Sequence, residues 1–577
     1  MKTFISLSLI LSLFTSIMTL NSEAIALTPE HDQYLPDYTE QRKQIAQGVI
    51  HYMHSLFWTK YAPHKWKKKR YGWDLDKEFE DSLERLNHLE NWSAKTLKPL
   101  FSRFVNSCQD VHTYIRYEDP HIAYIPLEVD LVEDRVIVTE SSVAGICSGD
   151  EILSINNQNP LDHLKQEFYG SSDVIEARPY FLIDHLFQRH GSFISVPKDG
   201  QAITLQIKGK KGIYKLSLNW FVTCFHGFSS PYDSYGANAQ TKLSQESLQA
   251  PQTCLKSHLV RKDPLLRPFV GSCEQKTALI KAYHEKYPLH KQAGYDTYSE
   301  PLNWSLIHEN GVDVGYLNIK EFQDLDFTQI DMALKILEKK SRCLVLDLRD
   351  NPGGLDFIMY ALAMRMIDRP LVNLMNSCML DEGIVEMHRH WLTEYNDMLE
   401  EARSDSDIAS WTQDYGIPCT LDFVRSLRTE SLTCIEEWEN GYTCTRFFPM
   451  RGLKTLEPHP HIRYTKPLFI LVNERCASCA DIFPTLMKDN KRALILGRTT
   501  SGAGGTVESF PVANAFGIAE ISLTTSLILR NNYLVLEDNG LSPDFEHKKT
   551  VESVTDRDQE KMQAIRFAAQ NYSKLSP

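Results

Sequence analysis

Three observations point to a multidomain α/β protein with a helical N-terminal region, a β-rich middle and an α/β core. The chain has 577 residues, more than one hydrophobic core organises. Near the N-terminus, QRKQIAQGVIHYMHSLFW (41–58) and DSLERLNHLENW (81–92) carry apolar residues three and four apart, the period of a helix with one buried face. From about residue 301, short apolar runs (DVGYLNI, RCLVLDLR, PLFILVN and ALILGR) alternate with the helical patterns FTQIDMALKILEKK, LDFIMYALAMRMI and CADIFPTLMKDN. Strand–helix alternation of this kind is the signature of an α/β core.

In chain order, Lys2 precedes the apolar FISLSLILSLFTSIMTL, and Ala24-Ile-Ala26 supplies a small-x-small site. This is the layout of a secretory signal peptide, cut near Ala26. The alternative is a membrane anchor, since the stretch is just long enough to span. With cleavage the protein is expected to be exported, to a periplasm, to the medium or into a host cell, and to keep no membrane span. Residues 27–122 are expected to be helical. The basic run Lys65, Lys67, Lys68, Lys69 and Arg70 is expected to be a solvated face.

The stretch 123–210 contains two strands joined at VEDR, then SGDEILSINNQNP leading into a helix. It resembles a PDZ-like domain, in which a sheet edge accepts a peptide as an added strand. Residues 211–300, rich in His, Ser, Tyr and Gln, are expected to be an irregular insertion. The core then spans 301–577, interrupted by a second irregular block at about 376–460. A net charge of −13 argues against nucleic acid as a partner. Twelve cysteines fit an oxidising compartment, with Cys254 and Cys273, and the group Cys419, Cys434 and Cys444, as places where a staple would help.

The chemistry concentrates at two strand-to-helix corners. In DLRDNPGGLDF, Gly353 and Gly354 leave backbone N–H groups open to a ligand, although a plain tight turn has the same sequence. In ERCASCADIFP, Ser478 opens a helix whose dipole favours a developing oxyanion. The N–H of Cys479 with that of Gly353 or Gly354 would make a two-donor hole. Asp481 suits the helix dipole and is as well placed for structure as for function. Cys476 and Cys479 also form a C-x-x-C, but no second cysteine pair accompanies them, and both thiols are expected to be free. HRH at 388–390 and HPH at 459–461 lack the companion ligands of a metal site, so neither metal nor cofactor is expected.

DLRDNPGG, ASCAD, GRTTSGAGG and GLSPD, in this order, resemble the tail-specific, or carboxyl-terminal processing, serine peptidases of family S41. The resemblance covers most of 100–545 and implies a ββα-repeat core of crotonase/ClpP-like type. Many members use a lysine 25 residues after the serine, and that position here is Ala503. A branch that includes the chlamydial protease-like activity factor instead uses Ser-His-Glu. Its histidine region resembles QDVHTYIRY, which points to His112, with Thr113–Tyr117 as a short strand. Its glutamate corresponds to Glu537 in EDNGLSPD, with Asp538 as a neighbour that could substitute.

The resemblance thus implies an exported serine endopeptidase acting on proteins or peptides through an acyl-enzyme at Ser478, His112 and Glu537. Docking of the PDZ-like segment is expected to gate it, and a homodimer is left open. The alternative is a catalytically silent peptide-binding protein on a degenerate peptidase frame.

Overall fold

The computed structural model describes residues 39–172, 178–224, 302–323, 325–412, 415–512 and 516–574. The signal-peptide expectation for 1–26 and the cysteines Cys254 and Cys273 lie outside the described residues. Two compact units divide the chain, one ending at Ile45 and the other comprising Ala46–Pro577. Apart from the first turns of the helix Thr39–Lys60, the features described next belong to the second.

The core is a six-stranded sheet in the order 303–309, 312–318, 343–347, 468–472, 493–497 and 545–546. Its first pair is antiparallel and the other pairs are parallel. Every residue of Cys343–Asp347 and Leu468–Val472 is buried, as two-sided covering of a parallel strand requires. Side chains alternate between faces. Leu344, Leu346, Leu468, Ile470 and Val472 join the cluster under the helices Phe327–Lys340, Asp356–Arg365 and Cys479–Asp489. Cys343, Val345, Phe469 and Leu471 pack beneath Ala564, Ile565 and Ala568 of the helix Arg557–Asn571.

N-terminal helices Thr39–Lys60, His64–Tyr71, Leu75–Asn87 and Ala94–Asn106 precede the strand Tyr114–Tyr117. That strand pairs antiparallel with Ile518–Thr524, roughly four hundred residues on, through Tyr114↔Ser522, Ile115↔Ile521 and Arg116↔Glu520. Phe57, Phe101, Phe104 and Ile115 share one apolar cluster with Ile518, Ile521 and Leu523, so burial drives the pairing. The β-rich region is a five-stranded antiparallel sheet, 127–132, 135–141, 151–155, 202–209 and 212–219, with its own core. Its helix Pro160–Tyr169 has Asn159 as cap and proline at the first turn.

Three expectations need correction. Residues 211–224 are not irregular: Gly212–Asn219 pairs with Ala202–Gly209 along its whole length, and Phe221–Cys224 pairs with His121–Tyr124. The block at 376–460 holds two long helices, Glu382–Glu401 and Leu421–Glu439. Polar residues dominate their outer faces and hid the apolar period; Phe423, Val424 and Leu427 lie in the main core. Finally, Lys67 is not solvated but fully buried.

Leu346→Ala, at the centre of the sheet, is expected to destabilise the protein by about 2–5 kcal/mol in urea denaturation. Met332→Ala, on an exposed helix face, should change stability by less than about 0.5 kcal/mol.

Candidate active site

Loops leaving the carboxyl ends of parallel strands converge, the usual place for a ligand in such sheets. Cys343–Asp347 leads to Gly353 and Gly354, Leu468–Val472 to Ser478, and Ala493–Gly497 to the 500–505 loop. Ser478 caps the helix Cys479–Asp489 with φ +56° and ψ −125°, a strained conformation for a residue with a side chain. Three contacts hold it there. Its N–H donates to the Ala503 carbonyl at 2.6 Å, and its own carbonyl accepts from Asp481 N at 2.8 Å and Ile482 N at 3.0 Å.

Gly353 presses directly on the serine. A Cβ at Gly353 would lie 2.4 Å from Ser478 Cβ and 3.0 Å from Cys479 N, and its φ of +106° disfavours any side chain. Its N–H, however, donates to Asn351 Oδ1 at 2.8 Å and is not open to a ligand. The neighbouring carbonyl and amide of Gly353 and Leu355 bond Phe322, which leaves the Gly354 N–H unengaged among the described residues. Cys479 N, in the first helical turn, has no intrahelical acceptor. Gly354 and Cys479 are therefore the available pair of amide donors.

The thiols take no part. Cys476 Sγ donates to the Leu348 carbonyl at 3.0 Å, and Cys479 Sγ to the Gly354 carbonyl at 3.1 Å. Both are free and buried, and burial pushes both thiols well above the ordinary thiol range, so neither supplies thiolate. The described members of the proposed staple, Cys419, Cys434 and Cys444, are likewise free.

Asp481 fastens the neighbouring loop. Its carboxylate accepts from Ser501 Oγ (3.0 Å), Gly502 N (3.2 Å) and Ala503 N (3.0 Å). Burial pushes its carboxyl up against these bonds. Ala503 is buried, with a methyl where a lysine base would stand. The loop thus holds Ser478 through a carbonyl and offers no side-chain base.

His112 precedes the Tyr114–Tyr117 strand. Its N–H donates to Asp110 Oδ1 at 2.9 Å, and its ring meets the backbone of Gly505, two residues beyond the carbonyl that holds Ser478. Burial lowers its pKa, opposed by Asp110 and assisted by Arg178 and Lys67. Its Nδ1 is buried and has no partner. Asp110 Oδ2 accepts from Tyr61 Oη (3.1 Å), Thr113 Oγ1 (3.2 Å) and Thr524 Oγ1 (2.7 Å). Burial works against its ionisation, yet Lys67, His112 and Thr524 hold its carboxyl below the usual range.

Glu537 is buried beside this group, with Oε1 2.7 Å from Lys67 Nζ and Oε2 unpartnered. Burial and then Asp110 raise its pKa to about 8, against Lys67 and Arg178. Lys67 is raised as well, because three carboxylates outweigh its burial. Beyond burial, both upward shifts share one cause: three acids share two cations. Asp538 accepts from Lys67 Nζ (2.7 Å), Arg178 Nη2 (3.0 Å) and Trp66 Nε1 (2.9 Å).

The structure therefore gathers His112, Asp110 and Glu537 in one cluster, and Ser478 and His112 each contact the same short loop, at Ala503 and at Gly505. No hydrogen bond among the described residues joins Ser478 to His112 or His112 to Glu537. Lys67, Asp110 and Arg178 were not legible as site residues, although Asp110 stands two residues before the histidine. Glu474 and Arg475, just ahead of Ser478, pair with Lys549 (2.6 Å) and with Asp184 (2.6 Å) of the β-rich region.

No group of three His, Cys, Asp or Glu side chains among the described residues is arranged to hold a metal ion. His388 instead packs on Trp391 and bonds Ser431, and His459 Nδ1 accepts the backbone N–H groups of His461 and Ile462.

Residues 313–547 match the family model of Peptidase family S41. The chain is 26% identical over 541 residues to an uncharacterized protein of Chlamydia muridarum, covering 87% of this chain and 88% of that one. It is 23% identical over 251 residues to the chloroplastic carboxyl-terminal-processing peptidase 1 of Arabidopsis thaliana, covering 43% of this chain and 37% of that one. Among solved structures, mature CPAF complexed with lactacystin superposes with a TM-score of 0.72 at 22% identity, covering 92% of this chain and all of that one, and shares its fold.

Two outcomes are expected. Gly353→Ala should lower kcat by about 10²-fold or more, since its Cβ displaces Ser478, while circular dichroism stays native. Activity that relies on an ionised Glu537 should rise as pH increases through about 8, and kcat/KM profiles of wild type and Glu537→Gln check this. Stability has the reverse sign. A carboxyl raised in the folded state stabilises most at low pH, and that contribution is lost as pH rises through about 8.

Proposed function

We propose, from the match of residues 313–547 to the model of Peptidase family S41, that this serine-type peptidase is an endopeptidase working through Ser478, His112 and Glu537. The observation that carries the proposal is the strained Ser478 at a helix N-terminus, packed against the Gly353 corner, with the N–H groups of Gly354 and Cys479 left unengaged among the described residues. His112 removes the Ser478 proton as Oγ attacks the scissile carbonyl, and the oxyanion forms against the two amides. The imidazolium then protonates the leaving amine. A water activated by the same histidine releases the acyl group, with Glu537 orienting and charge-stabilising the ring.

Substrates on this proposal are extended protein segments, and the enzyme reaches them after export by the N-terminal signal. Contacts from Arg178 to the Ser501 carbonyl and from Asp184 and Asp130 to Arg475 support gating by the β-rich region. A homodimer stays an open part of the proposal. The silent peptide-binding reading draws on one observation, the missing Ser478–His112 hydrogen bond. Apo sites often close that bond only with substrate.

Fluorophosphonate labelling, run beside cleavage of an unstructured protein, decides between the two. Wild type is expected to label and cleave, Ser478→Ala to do neither, and His112→Ala to lose about 10³-fold or more. Full activity in His112→Ala would remove the proposed base, and an inert wild type would favour the binding protein.

A further inference from the structure

The cluster behind His112 contains more charge than a triad requires. Lys67 Nζ lies 2.7 Å from Glu537 Oε1, 2.7 Å from Asp538 Oδ1 and 3.3 Å from the Gln109 carbonyl, with the side chain fully buried. Arg178 reaches Asp538 Oδ1, the Gln109 carbonyl (2.6 Å) and the Ser501 carbonyl (2.8 Å). Three carboxylates, Asp110, Glu537 and Asp538, thus face two cations, Lys67 and Arg178. With His112 neutral and the acids ionised, the buried group carries one uncompensated negative charge. Two of its polar atoms, His112 Nδ1 and Glu537 Oε2, are buried without a partner, and a single hydrogen bond between them would satisfy both.

We infer that Lys67 is a positioning residue of this peptidase: it fixes Glu537 by Oε1 so that Oε2 is left for His112, and it keeps the buried cluster one positive charge short of neutrality. The inference rests on the assignment of Ser478, His112 and Glu537 as the reacting set. When the serine proton moves to His112, the imidazolium completes the charge balance, so the transition state removes the uncompensated charge. An ammonium suits this task because one compact cation meets Glu537, Asp538 and a carbonyl at once. The titratable groups facing His112 and Glu537 are Tyr61, Lys67, Cys108, Asp110, Arg178 and Asp538. Of these, Lys67 and Arg178 are the cations, and Lys67 bonds Glu537 directly.

The test is the pH dependence of the rate at which a fluorophosphonate inactivates the full chain. This readout follows Ser478–His112 basicity without a substrate. Removing a cation favours proton uptake by the His112–Glu537 pair, so Lys67→Met should move the acid limb up by about one pH unit or more. Asp538→Asn removes a negative charge and should move it down by a similar amount, while Lys67→Arg should hold it within a few tenths of a unit.

A structural plug would slow the reaction in each variant without opposite movements of the limb, and unmoved limbs in folded variants would overturn the inference. Should Lys67→Met fail to fold, Asp538→Asn decides, and an unmoved or raised limb there is equally fatal. The two assignments fail separately. His112→Ala reacting like wild type removes the reacting set, whereas an inert His112→Ala with unmoved limbs elsewhere removes only the role of Lys67.

Discussion

Asp110, Glu537 and Asp538 lie together away from water, an arrangement that costs several kcal/mol per ion unless cations and donors are held against them. Lys67 comes from the second of the described helices, Arg178 from the β-rich region, and two of the acids from the loop that leads into the last core strand, Phe545–Glu546. None of these segments can leave without stranding a buried charge, a loss of about 3–5 kcal/mol for one broken pair. The helical region, the β-rich region and the core are thereby tied at one point, and that point backs His112. Assembly of the domains and assembly of the site are one event.

A second tie lies on the other side of the serine. Arg475 and Glu474 are held by Asp184 and Lys549, so the strand end that carries Ser478 also carries contacts to the β-rich region and the C-terminal segment. Asp481 binds the 501–503 loop from within the same helix, and the loop returns a carbonyl to the Ser478 N–H. Ser478 is thus clamped through its backbone, and its side chain takes no part in the clamp. The two cysteines on either side pack against carbonyls and keep their protons, which disposes of a dithiol function at this C-x-x-C.

Much of this was visible in the chain. Core strands and helices from 312 to 497 follow the apolar period closely, because two-sided burial leaves little room for polar residues in a parallel sheet. The glycine corner and the serine at a helix start were legible for the same local reasons. The long helices within 376–460 are not legible in the chain because their apolar faces are diluted by charged outer faces, and the strand Gly212–Asn219 is not because its burial alternates weakly.

What the sequence determined by itself is local: periods, corners, the serine's place on its helix, and the alanine where a lysine would be. It gave no sign that Lys67, inside a run of five basic residues, turns inward, since a charge run reads the same whether its partners are water or carboxylates. Nor could it show that the Gly353 amide is spent on Asn351 while that of Gly354 stays open. The contacts that bury Lys67 join it to Gln109 and Glu537, 42 and 470 positions away. Only the folded chain decides them, because the energy of a buried charge is set by whichever groups the other segments bring to it.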